Sequence, residues 1–519
     1  MLPEFRNEPL TDFGQPREAE AFLAALNHVK AQLGQTYPLV IDGRQQTLNR
    51  IFPSINPSRP AEVIGHFAEA TADEVDQALE VATRAFETWR FVPVQERARY
   101  LLRAAAEMRR RKHEFSAMMV LEVGKSWAEA DADTAEAIDF LEYYARQALR
   151  IADSSHLLTA YQPEQLMLEY IPLGVGAIIP PWNFPLAIPT GMVGAAIVGG
   201  NTVLFKPAEQ SMFIAYKMCE LFWESGLPDG VLNFLTGPGP IVGARMVEHP
   251  GTRFVSFTGS REVGVGIYET AAKVVPGQRW LKRVILEMGG KDAVVVDETA
   301  DLEAAAQGIV VSAFGFQGQK CSAGSRAIIV NDVYEHVTSR VVELAEKWVI
   351  GEPDAGAHIQ VGPVIDQDAL NKIMNYIELG TQEGKLLLGG QRHPSPGNGY
   401  FIQPTIFGDV PPDARIAQEE IFGPVLAIIR ASDYSHALQI ANGTEYGLTG
   451  SVYSKDRARL ERARREYHVG NLYLNRKSTG ALVGVHPFGG FNMSGTDSKA
   501  GGPDYLLQYT QAKSIAEKL

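Results

Sequence analysis

Cysteine is scarce in this sequence, which contains only Cys219 and Cys321 among 519 residues. Two cysteines cannot form the disulfide framework of a small secreted domain, and neither has a second cysteine at metal-ligand spacing. The eleven histidines include no HExxH motif and no cluster with cysteine. We therefore expect a reducing compartment and no metal site.

Long apolar runs and an excess of basic charge are also absent. No segment approaches the roughly 18 uninterrupted apolar residues of a membrane span, and the opening MLPEFRNEPLTDFG lacks the apolar stretch of a secretory signal. Lysine and arginine number 48 against 61 acidic residues, which gives a formal charge of −13. These features predict a soluble cytoplasmic protein with neither a membrane nor a nucleic-acid partner.

Apolar segments with helical and with strand-like spacing alternate along the chain. From about residue 71 to 150 the spacing predicts amphipathic helices, one of them over QERARYLLRAAAEMRRRKHEF. Two series of short apolar runs follow. The first contains GVGAIIP, NTVLFKP, GVLNFL and RFVSF, and the second contains RVILEMGGKDAVVVD, RAIIVND and VLAIIRASD. The alternation predicts an α/β protein with two large domains and smaller appendages.

Cys321 lies in AFGFQGQKCSAGSR, where polar and small residues follow an apolar, helix-like run. The thiolate is the reactive form of cysteine, and Lys320 or the N–H groups of a turn would lower the pKa of this thiol. The alternative is an ordinary buried cysteine, which describes Cys219 in AYKMCELFW well. No histidine stands at a motif-like spacing, so a Cys–His protease is not indicated.

Two further polar side chains follow strand-like runs. Glu287 ends VIL and precedes MGGKD, where two glycines allow a sharp turn that could expose a basic carboxylate. Asn183 stands between Pro181 and Pro185, where a fixed amide could donate to a developing oxyanion. On these residues alone, an exposed strand-end glutamate and a turn asparagine remain the commoner interpretations.

Two glycine-containing turns lie between strand-like and helix-like segments, TGPGPIVG at 236–243 and FTGSREVG at 257–264. Such a turn offers backbone N–H groups and a helix N-terminus to a phosphate. Neither matches GxGxxG, so each alone is a weak indication of a dinucleotide site.

Seven motifs together resemble the aldehyde dehydrogenase superfamily over about residues 40 to 515: PWNFP, KPAE, FTGS, LEMGGKD, GQKCSAGSR, EEIFGPV and PFGGFNMSG. The resemblance implies that family's α/β fold, with a Rossmann-like NAD-binding domain at 1–150 and 173–286 and an α/β catalytic domain at 287–495. A small oligomerisation flap at 151–172 and 500–519 would support a homodimer or a dimer-based hexamer. From its sequence alone, the C-terminal segment fits an oligomer contact and a plain surface tail about equally well.

The resemblance also implies roles for individual residues. Cys321 would be the nucleophile, Glu287 the general base, and Asn183 the oxyanion donor together with the backbone N–H of Cys321. The cofactor would be NAD, because a glutamate at the adenosine ribose disfavours the 2′-phosphate of NADP. The residues implied to contact NAD are Pro181, Trp182, Lys206, Glu209, Gly237, Gly239, Phe257, Thr258, Gly259, Ser260, Val263, Glu420 and Phe422.

Within the superfamily, FRNEP, EAIDFLEYYAR, GFQGQKCSAGSR and NLYLNRKSTGALVGVHPFGG resemble the enzymes that oxidise L-glutamate γ-semialdehyde, formed from 1-pyrroline-5-carboxylate, to glutamate in proline degradation. The resemblance implies a cysteine thiohemiacetal that loses hydride to NAD and a thioester that water hydrolyses. With no room for a proline dehydrogenase domain, we expect the single-activity form. The substrate-binding residues would be Glu136, Phe184, Lys320, Ser322, Gly480, Ala481 and Phe488.

Three alternatives remain open at this point. The enzyme could act on another short acid semialdehyde, such as succinate semialdehyde, with the same catalytic residues. The chain could instead be a catalytically inactive binding or structural protein on the same fold. The segment RKSTGA at 476–481 could be an ordinary solvated turn and not a substrate anchor.

Overall fold

Helices and strands alternate along the chain, and the expected α/β class is confirmed. The computed structural model describes residues 2–152 and 155–519. The α-helices are α1 (Pro16–Lys30), α2 (Ala72–Trp89), α3 (Val94–Arg110), α4 (Lys112–Val123), α5 (Trp127–Ile151), α6 (Ala187–Val198), α7 (Met212–Glu224), α8 (Ala244–Glu248), α9 (Arg261–Ala272), α10 (Leu302–Phe314), α11 (Tyr334–Ala345), α12 (Gln367–Glu383), α13 (Arg415–Gln418), α14 (Tyr434–Asn442) and α15 (Arg457–Glu466).

In the described part of the chain, the strands form two large sheets and three small ones. They are β1 (Gln35–Tyr37), β2 (Leu39–Ile41), β3 (Arg44–Gln46), β4 (Ile51–Asn56), β5 (Arg59–Ala68), β6 (Glu164–Pro172), β7 (Val175–Ile179), β8 (Thr202–Phe205), β9 (Leu232–Phe234), β10 (Phe254–Thr258), β11 (Arg283–Glu287), β12 (Ala293–Val296), β13 (Arg326–Val330), β14 (Lys385–Leu388), β15 (Thr405–Gly408), β16 (Val425–Ala431), β17 (Tyr446–Gly447), β18 (Thr449–Tyr453), β19 (Asn471–Leu474), β20 (Phe491–Asn492) and β21 (Thr510–Lys518).

The first large sheet has the strand order β11-β10-β7-β8-β9-β2-β3. Its five strands from β11 to β9 are parallel, whereas β2 and β3 are antiparallel to their neighbours. Helices connect the parallel strands. The strand β8 is buried throughout, and β7 is buried except at its last residue, as expected for strands covered on both faces.

The second large sheet has the order β14-β15-β16-β13-β12-β18-β19 and is parallel except for β14. Its central strands β12 and β13 are fully buried. Helix α10 connects these two strands and buries Ile309 and Phe314 against one face of the sheet. The chain therefore has two covered parallel sheets, one for each series of apolar runs.

The segment RVILEMGGKDAVVV is divided between the two sheets. The sequence pattern assigned all of it to the second series, which is wrong for Arg283–Glu287, because β11 pairs with β10 at the edge of the first sheet and Glu287 lies opposite Thr258. Residues 293–296 form β12 of the second sheet. Residues 288–292 therefore cross from one sheet to the other.

The helical region before the first sheet contains one break that the sequence did not predict. The continuous pattern over QERARYLLRAAAEMRRRKHEF is split into α3 and α4 at Arg111, whose φ and ψ are −107° and 22°. Neither glycine nor proline marks the position. Helix α2 does carry a local signal, since Thr71 and Glu74 form a capping box at its start.

The C-terminal segment forms a strand. All nine residues of β21 pair antiparallel with β6, from Thr510 opposite Pro172 to Lys518 opposite Glu164. The flap expected from the sequence includes residues 153 and 154, which lie outside the described part of the chain. Among the residues that are described, no helix has the length and apolar character needed to cross a membrane.

Candidate active site

The polar residues singled out in the sequence lie at one edge of the first sheet. Asn183 follows β7 and Lys206 follows β8. Ser260 follows β10, and Glu287 ends β11. Because these strands are parallel, their carboxyl ends share an edge, where open α/β sheets bind ligands. Cys321 reaches this region from the second sheet, on the connection between α10 and β13.

A left-handed turn precedes Cys321. Phe316, Gln317 and Gly318 have φ values of 50°, 57° and 66°. The Gln317 amide donates to the carbonyl of Pro363 at 2.8 Å, which fixes the turn from inside the protein. The carbonyl of Cys321 faces the segment that crosses between the sheets.

The crossing segment needs glycine where it meets the cysteine. A Cβ atom on Gly290 would lie 2.5 Å from the carbonyl oxygen of Cys321. A Cβ atom on Gly289 would overlap the carboxylate of Glu420. These two close approaches explain the paired glycines of MGGKD and bring the chain after Glu287 against the cysteine.

The pKa of the Cys321 thiol is raised, whereas the sequence led us to expect a lowered one. Burial raises it first, followed by the negative charges of Asp292, Glu287 and Glu420, and the backbone hydrogen bond from Ser322 opposes these effects without overcoming them. Lys320 does not supply the expected compensation, because its ammonium group pairs with Glu129 at 2.7 Å. The thiol is therefore protonated in this state of the site.

The Glu287 carboxylate is held at one oxygen only. Its Oε1 accepts a hydrogen bond from Ser498 Oγ, and the backbone N–H groups of Gly490 and Ser498 also stabilise the charged form. Its Oε2 is buried and has no hydrogen-bond partner among the described residues. Burial outweighs these bonds and raises the pKa of Glu287 to about 8. A carboxyl with a pKa near the working pH is suited to general base catalysis.

Asn183 is buried with its side-chain amide fixed. Its Nδ2 donates to the carbonyl of Gln319 at 3.1 Å, two residues before Cys321. The Gln319 side chain accepts in turn from the backbone N–H of Ile365 at 2.9 Å. An amide nitrogen has two N–H donors, so the second donor of Asn183 remains for a group bound next to Cys321.

A glycine turn and the carboxylate of Glu209 lie farther along this edge. The exposed Glu209 accepts from the backbone N–H of Gly239 at 3.1 Å, and Gly237 in the same turn has a φ of 147°. The buried Lys206 donates to the carbonyl of Pro207, and burial lowers its pKa. An exposed carboxylate and a lysine that both follow β8 suit the ribose of a dinucleotide.

Ser260 begins helix α9. Its Oγ accepts from the backbone N–H of Val263 at 3.4 Å, and Val263 is 52% exposed. Phe257 is buried, while Thr258 and Gly259 are partly exposed between β10 and the helix. A helix N-terminus at the end of a parallel strand is a favourable position for a pyrophosphate.

Glu420 and Phe422 lie toward Cys321. Glu420 accepts from the backbone N–H of Gly290 at 3.0 Å, and burial raises its pKa. The Phe422 ring packs edge-on against Trp182 with centroids 5.5 Å apart, and Phe422 has a φ of 59°. Trp182 and Pro181 are partly buried on the chain that leads to Asn183. Glu420 therefore contacts the crossing segment at Gly290, the residue that also faces the carbonyl of Cys321.

Ser322, one of the expected substrate residues, directly follows Cys321 in the chain. Ser322 is buried, and its carbonyl accepts from Ser478 Oγ at 3.2 Å and from Thr449 Oγ1 at 3.4 Å. The first of these bonds joins the cysteine segment to the loop that carries Gly480 and Ala481. Gly480 is exposed and has a φ of 79°. Among the described residues, no group of three or more histidine, cysteine or acidic side chains is arranged to hold a metal ion.

The remaining expected substrate residues surround this region. The Lys320 ammonium group lies 5.9 Å from the centre of the Phe184 ring. The pKa of Glu136 is raised to about 8, first by burial and then by Asp133. Phe488 is held by two backbone hydrogen bonds to Ala500, directly before the glycines that face Glu287.

Comparison with known proteins agrees with this geometry. Residues 44–515 match the model of the aldehyde dehydrogenase family. The chain belongs to the aldehyde dehydrogenase family. The resemblance noted in the sequence is thereby confirmed.

Several relatives of this aldehyde dehydrogenase match it over its full length. A 1-pyrroline-5-carboxylate dehydrogenase of Geobacillus thermodenitrificans is 59% identical over 517 residues, covering 100% of each chain. The 1-pyrroline-5-carboxylate dehydrogenase 2 of Bacillus subtilis is 55% identical with the same coverage. A crystal structure of 1-pyrroline-5-carboxylate dehydrogenase from Thermus with bound NAD has a TM-score of 0.98 and 52% identity, again over 100% of both chains.

This aldehyde dehydrogenase also contains a buried ion pair that sequence analysis missed. Lys125 Nζ lies 3.1 Å from Asp133 Oδ2, and both side chains are fully buried. The ammonium group stands 4.0 Å from the Phe184 ring and 4.4 Å from the Phe316 ring. Asp133 Oδ1 accepts from the backbone N–H of Ala187 at the start of α6. The pair thus fixes the wall that carries Phe184.

The sequence offered a weak signal for Lys125 and almost none for Ser498. Lys125 follows the left-handed Gly124 at the end of α4 and precedes Ser126, the N-cap of α5, so a turn between two apolar helices was detectable. Ser498 lies in the Gly-rich C-terminal region, where its distance in sequence from Glu287 conceals the contact.

Proposed function

We propose that this aldehyde dehydrogenase oxidises L-glutamate γ-semialdehyde, the open form of 1-pyrroline-5-carboxylate, to L-glutamate with NAD. The observation that carries the proposal is the loop containing Gly480, which Ser478 ties to the residue directly after Cys321. A substrate with its aldehyde at the cysteine would present a carboxylate at its other end to this loop. The full-length relatives named as 1-pyrroline-5-carboxylate dehydrogenases support the same substrate.

The proposed substrate residues supply groups for both charged ends of an amino acid. The backbone N–H groups of Gly480 and Ala481 are donors for the substrate carboxylate. Glu136 would serve the ammonium group of the substrate, because the carboxylate form of its side chain stabilises a positive charge. Phe184 and Phe488 would enclose the short aliphatic chain.

The residues present fit NAD as the cofactor. Glu209 offers a carboxylate to the hydroxyl groups of one ribose, and Glu420 offers one toward the other. The N-terminus of α9 at Ser260 suits the pyrophosphate, and Val263 is exposed beside it. Bound NAD would supply the hydride acceptor for the reaction.

The first half of the reaction belongs to Cys321. Because burial and nearby carboxylates raise the pKa of its thiol, the proton must pass to a base as the sulfur attacks the aldehyde carbon. Glu287 has an unpartnered Oε2 for this purpose. The oxyanion that forms can accept from Asn183 Nδ2 and from the backbone N–H of Cys321. Loss of hydride from this carbon leaves a thioester on Cys321.

The second half belongs to Glu287. Glu287 first releases the thiol proton to solvent, and as a carboxylate it then takes a proton from water while the hydroxide oxygen adds to the thioester carbonyl. The carbon–sulfur bond breaks to release the acid, and the Cys321 thiolate recovers a proton from Glu287. Asn183 serves the second oxyanion as it served the first. The net change is one aldehyde and one water converted to one carboxylic acid, with one hydride leaving at the first step and one proton, that of the Cys321 thiol, released to solvent.

The proposal extends to the organisation of the protein. Residues 1–150 and 173–286 would bind NAD, and 287–495 would carry the cysteine. The flap at 151–172 and 500–519 would join subunits into a homodimer or a dimer-based hexamer, which its exposed Met167 (38%) and Leu519 (78%) favour. A reactive thiol requires reducing conditions, so we place the enzyme in the cytoplasm. A clean monomer in sedimentation would contradict the assembly.

The decisive experiment measures NADH formation with 1-pyrroline-5-carboxylate and with succinate semialdehyde, each beside a Cys321→Ala variant. We expect turnover of the first substrate to exceed that of the second, and we expect the variant to lose it. Preference for succinate semialdehyde would retain the chemistry and reject the substrate. Absence of NADH formation with both substrates would favour an inactive binding protein on this fold.

A further inference from the structure

One guanidinium nitrogen holds two consecutive carbonyls in the loop beside Ser322. Arg476 Nη2 donates to the carbonyl of Thr479 at 2.9 Å and to the carbonyl of Gly480 at 2.9 Å. The first carbonyl belongs to the peptide group whose N–H is that of Gly480. The second belongs to the peptide group whose N–H is that of Ala481.

Because the peptide groups are trans, these contacts determine the direction of the N–H groups of Gly480 and Ala481. The C=O and N–H of one peptide group point in opposite directions, so holding both carbonyls against Arg476 directs both N–H groups away from it. Gly480 makes this possible with a φ of 79°, since alternation with a left-handed residue turns successive N–H groups toward one side. The guanidinium charge also polarises both peptides, which strengthens their N–H groups as donors to an anion.

Arg476 is itself held in place. Its guanidinium group lies over the Tyr473 ring, 4.3 Å from the centroid, and its Nη1 lies 3.2 Å from His486 Nε2. Ser451 Oγ donates to the Arg476 carbonyl, so the backbone is fixed to β18 as well. These contacts fix the Arg476 guanidinium group next to the carbonyls of Thr479 and Gly480.

We propose that Arg476 is a positioning residue for substrate specificity, which aims and polarises the N–H groups of Gly480 and Ala481 so that they bind the carboxylate at the end of the substrate remote from the aldehyde. The inference rests on the proposed function for the identity of that substrate. It predicts discrimination between aldehydes with and without a carboxylate, because Arg476 acts on the carboxylate end only.

The test compares Arg476→Met and Arg476→Lys with the native enzyme. Methionine keeps an unbranched side chain but removes the charge and the donors of the guanidinium group that lies over Tyr473, whereas lysine restores the charge and an ammonium donor. With 1-pyrroline-5-carboxylate, we expect Arg476→Met to raise KM by about 10- to 100-fold with little change in kcat, as for the loss of charge-assisted hydrogen bonds. Arg476→Lys should recover part of the loss.

Butanal, which lacks the carboxylate, is the control substrate. Its kcat/KM should be similar for the native enzyme and for both variants. Arg97, on helix α3, supplies a matched control variant. Its side chain also donates to two backbone carbonyls, those of Val92 and Val198. Arg97→Met should lower thermal stability without changing the ratio of KM for the two aldehydes.

The outcomes separate the inference from the proposed function. Equal losses with both aldehydes in Arg476→Met, or an unchanged KM for 1-pyrroline-5-carboxylate, would overturn the role of Arg476. If the native enzyme oxidises succinate semialdehyde and not 1-pyrroline-5-carboxylate, the proposed function fails. A raised KM for succinate semialdehyde in the variant would then still support the inference. If Arg476→Met fails to fold, the second measurement is the inhibition constant of L-glutamate for Arg476→Lys and for the native enzyme. We expect weaker inhibition of the variant, and equal inhibition of both would overturn the role of Arg476.

Discussion

Ser498→Ala tests how the Glu287 base is tuned. Burial raises the pKa of Glu287, the hydrogen bond that the Ser498 hydroxyl donates to Oε1 lowers it, and the balance leaves the pKa at about 8. A hydrogen bond to a charged group contributes about 1.5–3 kcal/mol, and 1.36 kcal/mol corresponds to about one pKa unit. Its removal should therefore raise the pKa of Glu287 by about one to two units.

The sign of the effect on activity follows from the protonation state. Glu287 acts as a base only when ionised, so activity falls as the pH drops through its pKa. At pH 7 a group with a pKa of about 8 is about one-tenth ionised, and a further rise of one to two units lowers this fraction about 10- to 100-fold. Hydrolysis of the thioester should slow by this factor at pH 7 and recover toward pH 10.

The assay is steady-state NADH formation between pH 6 and pH 10, beside the rate of the first turnover. We expect the acidic limb of the steady-state profile to move toward higher pH in Ser498→Ala. Ser432→Ala is the matched control, since it removes an exposed hydroxyl that donates to Asp433 at 3.1 Å far from the site. An acidic limb that does not move in Ser498→Ala would refute the assigned contact or the role of Glu287 as the base.

Three further predictions concern the oxyanion, the cofactor and the buried pair. Asn183→Ala should lower kcat by about 100- to 1000-fold with a small change in KM, as for other oxyanion donors, and a kcat within twofold of native would contradict its role. Glu209→Gln should lower kcat/KM for NAD by about tenfold and leave that for NADP nearly unchanged, because one charge-assisted hydrogen bond is lost. A parallel fall for both cofactors would reject this contact. Lys125→Met should destabilise the protein by about 3–5 kcal/mol in denaturant unfolding, because it leaves a buried carboxyl, whose pKa burial already raises, without its cationic partner, and Lys125→Met with Asp133→Asn should recover stability. Failure of the double variant to recover would contradict a compensated pair.

Local pattern predicted the two sheets but not the strand at their border. Each short apolar run between glycines and prolines became a strand, because such runs are buried between helices. The run ending at Glu287 looks the same in sequence as the run at 293–296. Membership of a sheet is decided by pairing with β10, a contact between distant residues that periodicity does not contain. The break between α3 and α4 at Arg111 was also not predicted, because neither glycine nor proline marks it in the sequence.

The candidate site shows the same division between local and distant information. Motif order singled out Cys321, Glu287 and Asn183 as candidates. The fold places Asn183 and Glu287 at one edge of the first sheet, and Cys321 reaches that region from the second sheet. The direction of the pKa shift at Cys321 was mispredicted because Lys320 is its neighbour in sequence, whereas the carboxylates that act on it come from residues 287, 292 and 420. Ser498 and Arg476 were missed for a related reason. Ser498 acts on the distant Glu287 carboxylate and Arg476 acts on two backbone carbonyls, and neither contact can be read from local sequence.

Because the site is divided between two sheets, the enzyme can lose activity without unfolding. Glu287 is anchored to one sheet and Cys321 to the other, with residues 288–292 between them. A displacement of reacting groups by about 1 Å can cost on the order of a hundredfold in rate, while the free energy of folding hardly changes. Substitutions that alter the packing between the sheets should therefore yield a folded, NAD-binding protein that is slow. Catalytic rate is then a more sensitive measure of the alignment of the two halves than any melting temperature.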